Sequence, residues 1–166
     1  LSPYAASKKA AEALCYTYHY LYGIDVTVFR YFTVYGPAGR PDMMPFRMVQ
    51  WISEGHPVSI FGDGQQSRDF TYVDNAVQAN IRSIFTDNKE AVNQVYNIAC
   101  GEQTSLNELF DGLRNEAGSE MQPVYGPERA GDVKHSLADI SKAKKLLGYE
   151  PTISVGEGLK KTFNWY

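Results

Sequence analysis

Residues 3–32 read PYAASKKAAEALCYTYHYLYGIDVTVFRYF, and the way this stretch divides decides the fold class. Pro3 suits a first helical turn, and Ala5, Ala6, Ala10, Ala11, Ala13 and Leu14 all favour helix. The spacing predicts a helix from Pro3 to Tyr22, ended by Gly23 at the position where a left-handed residue is wanted. Val26 to Phe32 is rich in β-branched and aromatic residues and predicts a buried strand. A helix followed by one buried strand is half of a βαβ unit, so the remainder of the sheet is expected to lie elsewhere. The chain opens on Leu1 rather than Met, which predicts that its true N-terminus has been removed.

Outward from that unit, helix and strand patterns alternate, as in an α/β protein. Gly36-Pro37-Ala38-Gly39-Arg40-Pro41 is a loop. Pro45 to Glu54 is a predicted helix with Phe46, Val49 and Ile52 on its apolar face. Val58 to Phe61 is a short strand, Gly62-Asp63-Gly64 a turn, and Phe70 to Val73 a further extended piece. An amphipathic helix follows over Ala76 to Phe85, with Asp74 as a candidate cap, and then a strand from Val95 to Ala99. Ser105 and Glu108 form a capping box for a helix carrying Leu106, Leu109, Phe110 and Leu113. Asp139 is placed to cap a helix from Ile140 to Leu147, closed by Gly148, and a last helix runs from about Val155 to Tyr166. Gly118 to Asp132 is the least regular stretch.

The chain has 166 residues, 43% of them hydrophobic and 13% aromatic, enough to bury a core and too apolar for disorder. Its net charge of −3 argues against a nucleic-acid binder. No run approaches the length of a transmembrane helix, and no secretory signal is written. Cys15 and Cys100 are too few for a disulfide framework, so a reducing cytoplasm is expected. His19, His56 and His135 are scattered without ligand spacing and predict no metal. His135 adjoins Gly131-Asp132 and reads first as a surface residue, with a place in a pocket as the alternative.

Tyr4 and Lys8, four residues apart, share a helix face. A tyrosine serving as general base must release its proton near neutral pH, against a free pKa of about 10. A shift of roughly 3 units needs about 4 kcal/mol. An ammonium about 5 Å away contributes roughly 3 kcal/mol at an effective dielectric of about 20. A second positive charge, such as an oxidised nicotinamide ring, would supply the rest. The spacing alone is weak, and a packed tyrosine beside a solvated lysine is the plain alternative.

Six ordered segments change that balance: Pro3-Tyr4-Ala5-Ala6-Ser7-Lys8, Arg30 to Pro37, Gln66 to Asp74, Tyr96 to Ala99, Arg129 to Val133, and Ala138 to Ala143. Together they resemble the C-terminal half of an extended short-chain dehydrogenase/reductase, in the NAD-dependent nucleotide-sugar epimerase and dehydratase branch. The resemblance covers essentially the whole chain. It implies the C-terminal part of a Rossmann-type doubly wound parallel sheet, interleaved over residues 1–166 with a small α/β substrate-binding lobe. The family's Gly-rich NAD-binding turn and its catalytic Ser/Thr, both upstream of the tyrosine, do not occur in this sequence.

The resemblance also implies roles. Tyr4 matches the tyrosine that takes a proton from a sugar hydroxyl, and Lys8 the lysine that holds the nicotinamide ribose. Tyr31, Phe32 and Thr33 match the strand end lining the nicotinamide, with a buried strand pair as the alternative for the first two. Thr33 stands where Asn is frequent and matches enzymes acting on UDP-glucuronate. Arg68 and Arg129 match arginines that grip the nucleotide diphosphate, against the alternative of surface salt bridges with Asp69 or Asp132. Arg40 resembles a substrate-loop arginine, while mid-strand Arg30 reads as structural. Phe61 matches an aromatic placed against uracil, with a core phenylalanine as the alternative. Guanidinium forks suit a pyrophosphate in an acidic protein, and Lys142, Lys144, Lys145, Lys160 and Lys161 instead crowd the last helices.

The implied activity is NAD-dependent epimerisation of a UDP-sugar at C4 through a 4-keto intermediate. A decarboxylase or dehydratase of the same family and a non-catalytic cofactor-binding regulator stay open as alternatives. The substrate signals divide between UDP-glucuronate (Thr33 with Gly39 to Met43) and UDP-glucose or UDP-N-acetylglucosamine (Gly131 to Ser136). The family dimerises through the tyrosine-bearing helix, and the aromatics Tyr16, Tyr18, Tyr20 and Tyr22 fit a homodimer of the intact protein.

Overall fold

The computed structural model describes residues 2–129 and 131–166, so Leu1 lies outside the described residues. Helix α1 runs Pro3–Tyr22. Ser2 Oγ accepts from the Ala5 N–H at its start, and Gly23, at φ 66°, returns its N–H to His19 O at its end. None of its side chains is buried.

The chain then enters β1 (Val28–Tyr31) and, after Phe32 alone, β2 (Thr33–Tyr35). These two segments take different partners. Strand β1 pairs in parallel with β6 (Val95–Ile98), whereas β2 pairs in parallel with β5 (Phe70–Tyr72). The split falls at one peptide: Phe32 N–H donates to Ile98 O at 3.1 Å and Thr33 N–H to Asp69 O at 3.2 Å. Strands that diverge in this way open a crevice beyond their carboxyl ends, the usual place for a ligand in α/β folds. The expected buried strand over Val26–Phe32 is therefore corrected. Its residues are half-buried or exposed, because among the described residues β1 has a neighbour on one edge only.

Helix α2 (Met44–Ser53) buries Pro45, Met48, Val49 and Ile52. Phe46 sits at the margin of that face, with its ring edge-on to Tyr166 at 5.9 Å. Strand β3 (Ser59–Phe61) pairs in parallel with β8 (Val124–Gly126), a strand inside the stretch read from sequence as least regular. Strand β4 (Ser67–Arg68) pairs antiparallel with β7 (Thr104–Ser105). Such two-residue pairings carry no local periodicity, so only distant contacts reveal them.

Helix α3 begins at Val73, not Ala76, and ends at Ile84. Tyr72 stands at its N-cap and Asp74 lies in its first turn, so Asp74 does not cap it. It buries Asn75, Ala76 and Ala79 while Val77, Ile81, Ile84 and Phe85 stay exposed. Helix α4 (Leu106–Glu116) has the expected capping box, with Ser105 Oγ accepting from Glu108 N–H at 3.1 Å and Ser105 N–H donating to Glu108 Oε2 at 2.7 Å. Those bonds hold the Glu108 carboxyl below the ordinary range. Its Leu106, Leu109, Phe110 and Leu113 enter a core with residues of α2, β2, β3, β5 and Leu159 of α6 (Val155–Trp165). Helix α5 (Ser141–Leu147) starts one residue late, although Asp139 Oδ1 does accept from Ser141 N–H at 2.9 Å. It belongs to a second core with Ala79, Tyr96, Ile98 and Tyr149.

Candidate active site

Helix α1 and strand β1 form the walls of a groove of about 560 Å³. Tyr4, Lys8, Glu12 and Cys15 recur along one helix face and oppose Val28 to Tyr31. Tyr4 is 71% exposed, so it is not a packed core tyrosine. Lys8 Nζ lies 5.7 Å from the Tyr4 ring centroid. Its ammonium forms no hydrogen bond or ion pair among the described residues, leaving its donors available to a ligand. Deeper in the groove, Glu12 accepts a fork from Arg30, with Nε to Oε1 at 2.6 Å and Nη2 to Oε2 at 2.7 Å. Arg30 first and Lys9 second lower the Glu12 carboxyl to about 2. The structural reading of Arg30 agrees with this placement.

Tyr31 is shared with a second groove, of about 410 Å³, whose other walls include Phe32, Val34, Arg40, Met43 and Ala76. The Tyr31 hydroxyl donates to Asn80 Oδ1 at 2.9 Å, which fixes the ring at the strand end. Tyr31 is exposed, whereas Phe32 is half-buried and packs on the second core. The buried-pair alternative therefore fails for Tyr31. Thr33 stands at the strand split, half-buried. Arg40 reaches the groove from the loop that Gly36 presses against α3, where a Cβ would meet Val73 Cγ1 at 2.7 Å. Its guanidinium forks onto Asp42 at 2.8 and 2.7 Å.

A third groove, of about 520 Å³, is built from the Phe61–Gln66 turn together with Glu128, Arg129 and the residues from Gly131 to His135. Phe61 is 39% exposed while Ile60 beside it is fully buried, so alternation along β3 turns Phe61 outward and excludes the core alternative. The Arg129 guanidinium lies 5.8 Å from the Phe61 ring centroid. Gly64 turns at φ 73°, and a Cβ there would collide with the Asn107 side chain. The two arginines expected to grip the diphosphate are held differently. Arg129 faces the groove, whereas Arg68 Nη2 binds Asp132 Oδ1 at 2.7 Å and its Nη1 reaches Lys134 O at 3.2 Å. Arg68 thus fastens the wall of the groove, and the salt bridge to Asp132 is realised.

Asp69 carries no such bridge. It is fully buried, with Oδ1 accepting from Cys100 N–H at 2.8 Å and Oδ2 from Gly101 N–H at 3.0 Å and Ala138 N–H at 3.4 Å. Burial raises its carboxyl above the ordinary range. Sequence reasoning missed this residue as a junction. Nor did it foresee Asn75, whose amide holds Thr152 and Ile153 through three hydrogen bonds. Asp69 follows Gln66-Ser67-Arg68 and Asn75 follows Asp74, so both stand among other polar residues and no local pattern marks them for burial.

The NAD dependent epimerase/dehydratase family matches residues 1–99. The chain belongs to that family. It is 52% identical over 166 residues to a UDP-glucuronate 4-epimerase of Thermodesulfobacterium geofontis, covering 99% of this chain and 50% of the relative. Among solved structures, the UDP-glucose 4-epimerase of Thermotoga maritima with UDP-glucose superposes at TM-score 0.93 with 39% identity, over 99% of this chain and 53% of that one. The UDP-glucuronic acid 4-epimerase of Bacillus cereus, in complex with UDP-glucuronic acid and NAD, gives 0.92 and 39%, over 99% and 52%. The chain spans about half the length of the relatives it matches. The α/β fold with a Rossmann-type parallel sheet agrees with both structures. Among the described residues of this family member, no helix is long and apolar enough to cross a membrane.

Proposed function

We propose that the protein to which this epimerase/dehydratase chain belongs interconverts a UDP-sugar and its C4 epimer, with residues 1–166 as its C-terminal portion. The observation that carries the proposal is the exposed Tyr4–Lys8 pair on α1, facing Tyr31 across one groove. It stands in a chain 52% identical to a UDP-glucuronate 4-epimerase. The half-length coverage supports a longer parent.

The residues of the groove fit part of NAD. The Lys8 ammonium stands unpaired among the described residues and suits the vicinal hydroxyls of the nicotinamide ribose, while Tyr31, Phe32 and Thr33 would flank the ring. Bound there, NAD supplies the acceptor and donor of the hydride at C4. Tyr4 Oη removes the proton from the C4 hydroxyl and returns one to the C4 oxygen after the 4-keto sugar has turned over. Oxidation and reduction cancel across the cycle, so the sugar changes only its configuration at C4.

Phe61 would stack on uracil, and Arg129, above it, would meet the negative charge of the nucleotide. The nucleotide would stay fixed while the sugar turns. Arg68 serves this site through Asp132 and the loop it fastens. Arg40 already holds a carboxylate, that of Asp42, in a two-point fork. The 52% identity to a UDP-glucuronate 4-epimerase favours UDP-glucuronate over UDP-glucose or UDP-N-acetylglucosamine, with Arg40, once released from Asp42, as the candidate partner of the uronate carboxylate. A homodimer through the exposed tyrosines of α1 is part of the same reading, as is a cytoplasmic location, which suits the free Cys15 and Cys100.

The test uses the full-length parent with NAD+ and, separately, each of the three UDP-sugars, with products resolved by NMR. A C4-inverted product that keeps its carboxylate is expected from UDP-glucuronate. Loss of the carboxylate or of water would move the assignment to a decarboxylase or dehydratase.

A further inference from the structure

His135 lines the same groove as Phe61 and Arg129, and the reading above gives it no task. Strand β4 holds it there. Ser67 N–H donates to Lys134 O at 2.8 Å, and Ser67 O accepts from Ser136 N–H at 3.1 Å. Ser67 and His135 are therefore neighbours in a parallel bridge, and Ser67 Oγ lies 2.8 Å from His135 Nδ1. Ser67 is buried, and a buried hydroxyl proton needs an acceptor. Nδ1 is the partner that the described residues provide, so the hydroxyl donates to it. In the singly protonated ring the proton then resides on Nε2, at the opposite edge of an exposed imidazole that lines the groove.

The surrounding charges suit an anion at that edge. The groove's three carboxylates are engaged: Asp132 with Arg68 at 2.7 Å, Glu128 with Lys134 at 3.8 Å, and Asp63 with the Gln65 N–H at 2.9 Å. Arg129 stands over Phe61 on the same groove. We infer that His135 Nε2–H is a hydrogen-bond donor to the diphosphate of the bound nucleotide, held in that orientation by the Ser67 hydroxyl. The inference rests on the nucleotide reading of this groove and adds to it a phosphate-recognising residue.

Titration calorimetry of the full-length parent with UDP and, separately, uridine tests it, comparing the unaltered protein with His135→Ala and His135→Gln. One hydrogen bond to a charged acceptor corresponds to about a tenfold loss of UDP affinity in His135→Ala, with uridine binding unchanged. His135→Gln, which keeps an N–H donor, should recover part of the loss. Unchanged UDP affinity in His135→Ala, or equal weakening of UDP and uridine, would overturn the inference while leaving the nucleotide reading intact. An unaltered parent that binds no UDP would overturn the nucleotide reading and this inference with it.

Discussion

Arg30 of β1 donates from the Nε–Nη2 edge of its guanidinium to both carboxylate oxygens of Glu12 of α1, at 2.6 and 2.7 Å. Helix α1 buries no side chain, so this fork is the specific tie between the Tyr4-bearing helix and the sheet. The Glu12 carboxyl titrates at about 2 when folded, against 4.5 for the free group. A carboxyl whose folded value is depressed adds stability above its unfolded value and loses it as pH falls through the folded one. The window is therefore pH 4.5 down to about 2. Across it the protection factors of the Pro3–Tyr22 amides, measured against intrinsic exchange at each pH, should fall while those of α4 hold. In Glu12→Gln the lower protection should already be present at neutral pH. Both groups are partly solvated, so the expected change is small, about 1 kcal/mol or less.

Tyr4→Phe removes the one atom assigned to proton transfer and nothing that packs, since the ring is exposed. In the full-length parent, kcat should fall by about 10²–10⁴, with little change in UDP-sugar affinity. Circular dichroism of the variant should superpose on that of the unaltered protein. Retention of more than about a tenth of the activity would remove Tyr4 from its role.

Phe61→Ala takes away the aromatic wall of the third groove and leaves Arg129 without the ring beneath it. Stacking of a base on an aromatic ring is worth about 1–3 kcal/mol, so UDP should bind roughly tenfold more weakly or worse. Because Phe61 already faces solvent, thermal stability should hardly move. A large drop in melting temperature with unchanged affinity would return Phe61 to a packing role.

Asp69→Asn replaces a two-oxygen acceptor with one oxygen and an amide. The present bonds from Cys100, Gly101 and Ala138 need both oxygens, so a buried N–H loses its partner. The expected cost is about 1–3 kcal/mol, read as a lower urea midpoint. The carboxyl itself is raised by burial, opposite in sign to Glu12. Its contribution is present below its unfolded value and declines as pH rises through the folded one.

With NAD+ and UDP-glucuronate added, this chain alone should give no turnover, because the Gly-rich phosphate-binding turn of the family does not occur in it. Measurable epimerisation would overturn that expectation.

The local signals were read well because they act within a few residues. Pro3 and Gly23 bound α1, Ser105 and Glu108 close their capping box, and Gly148 ends α5. The Tyr4–Lys8 face follows from helical periodicity alone, and the ordered motifs identified the family. What the sequence left open depends on partners far along the chain. Whether Phe61 faces core or cleft is settled by β8, which pairs β3 from beyond α4. Arg68 has its task decided by Asp132, 64 residues away. The strand over residues 28–35 divides at Phe32 because β6 and β5 each claim one half of it. No propensity written into residues 28–35 encodes that division. Pairing and side-chain direction are set by which distant backbone arrives alongside, so the helices and their caps were determined by the sequence in place, and the grooves only by the tertiary structure.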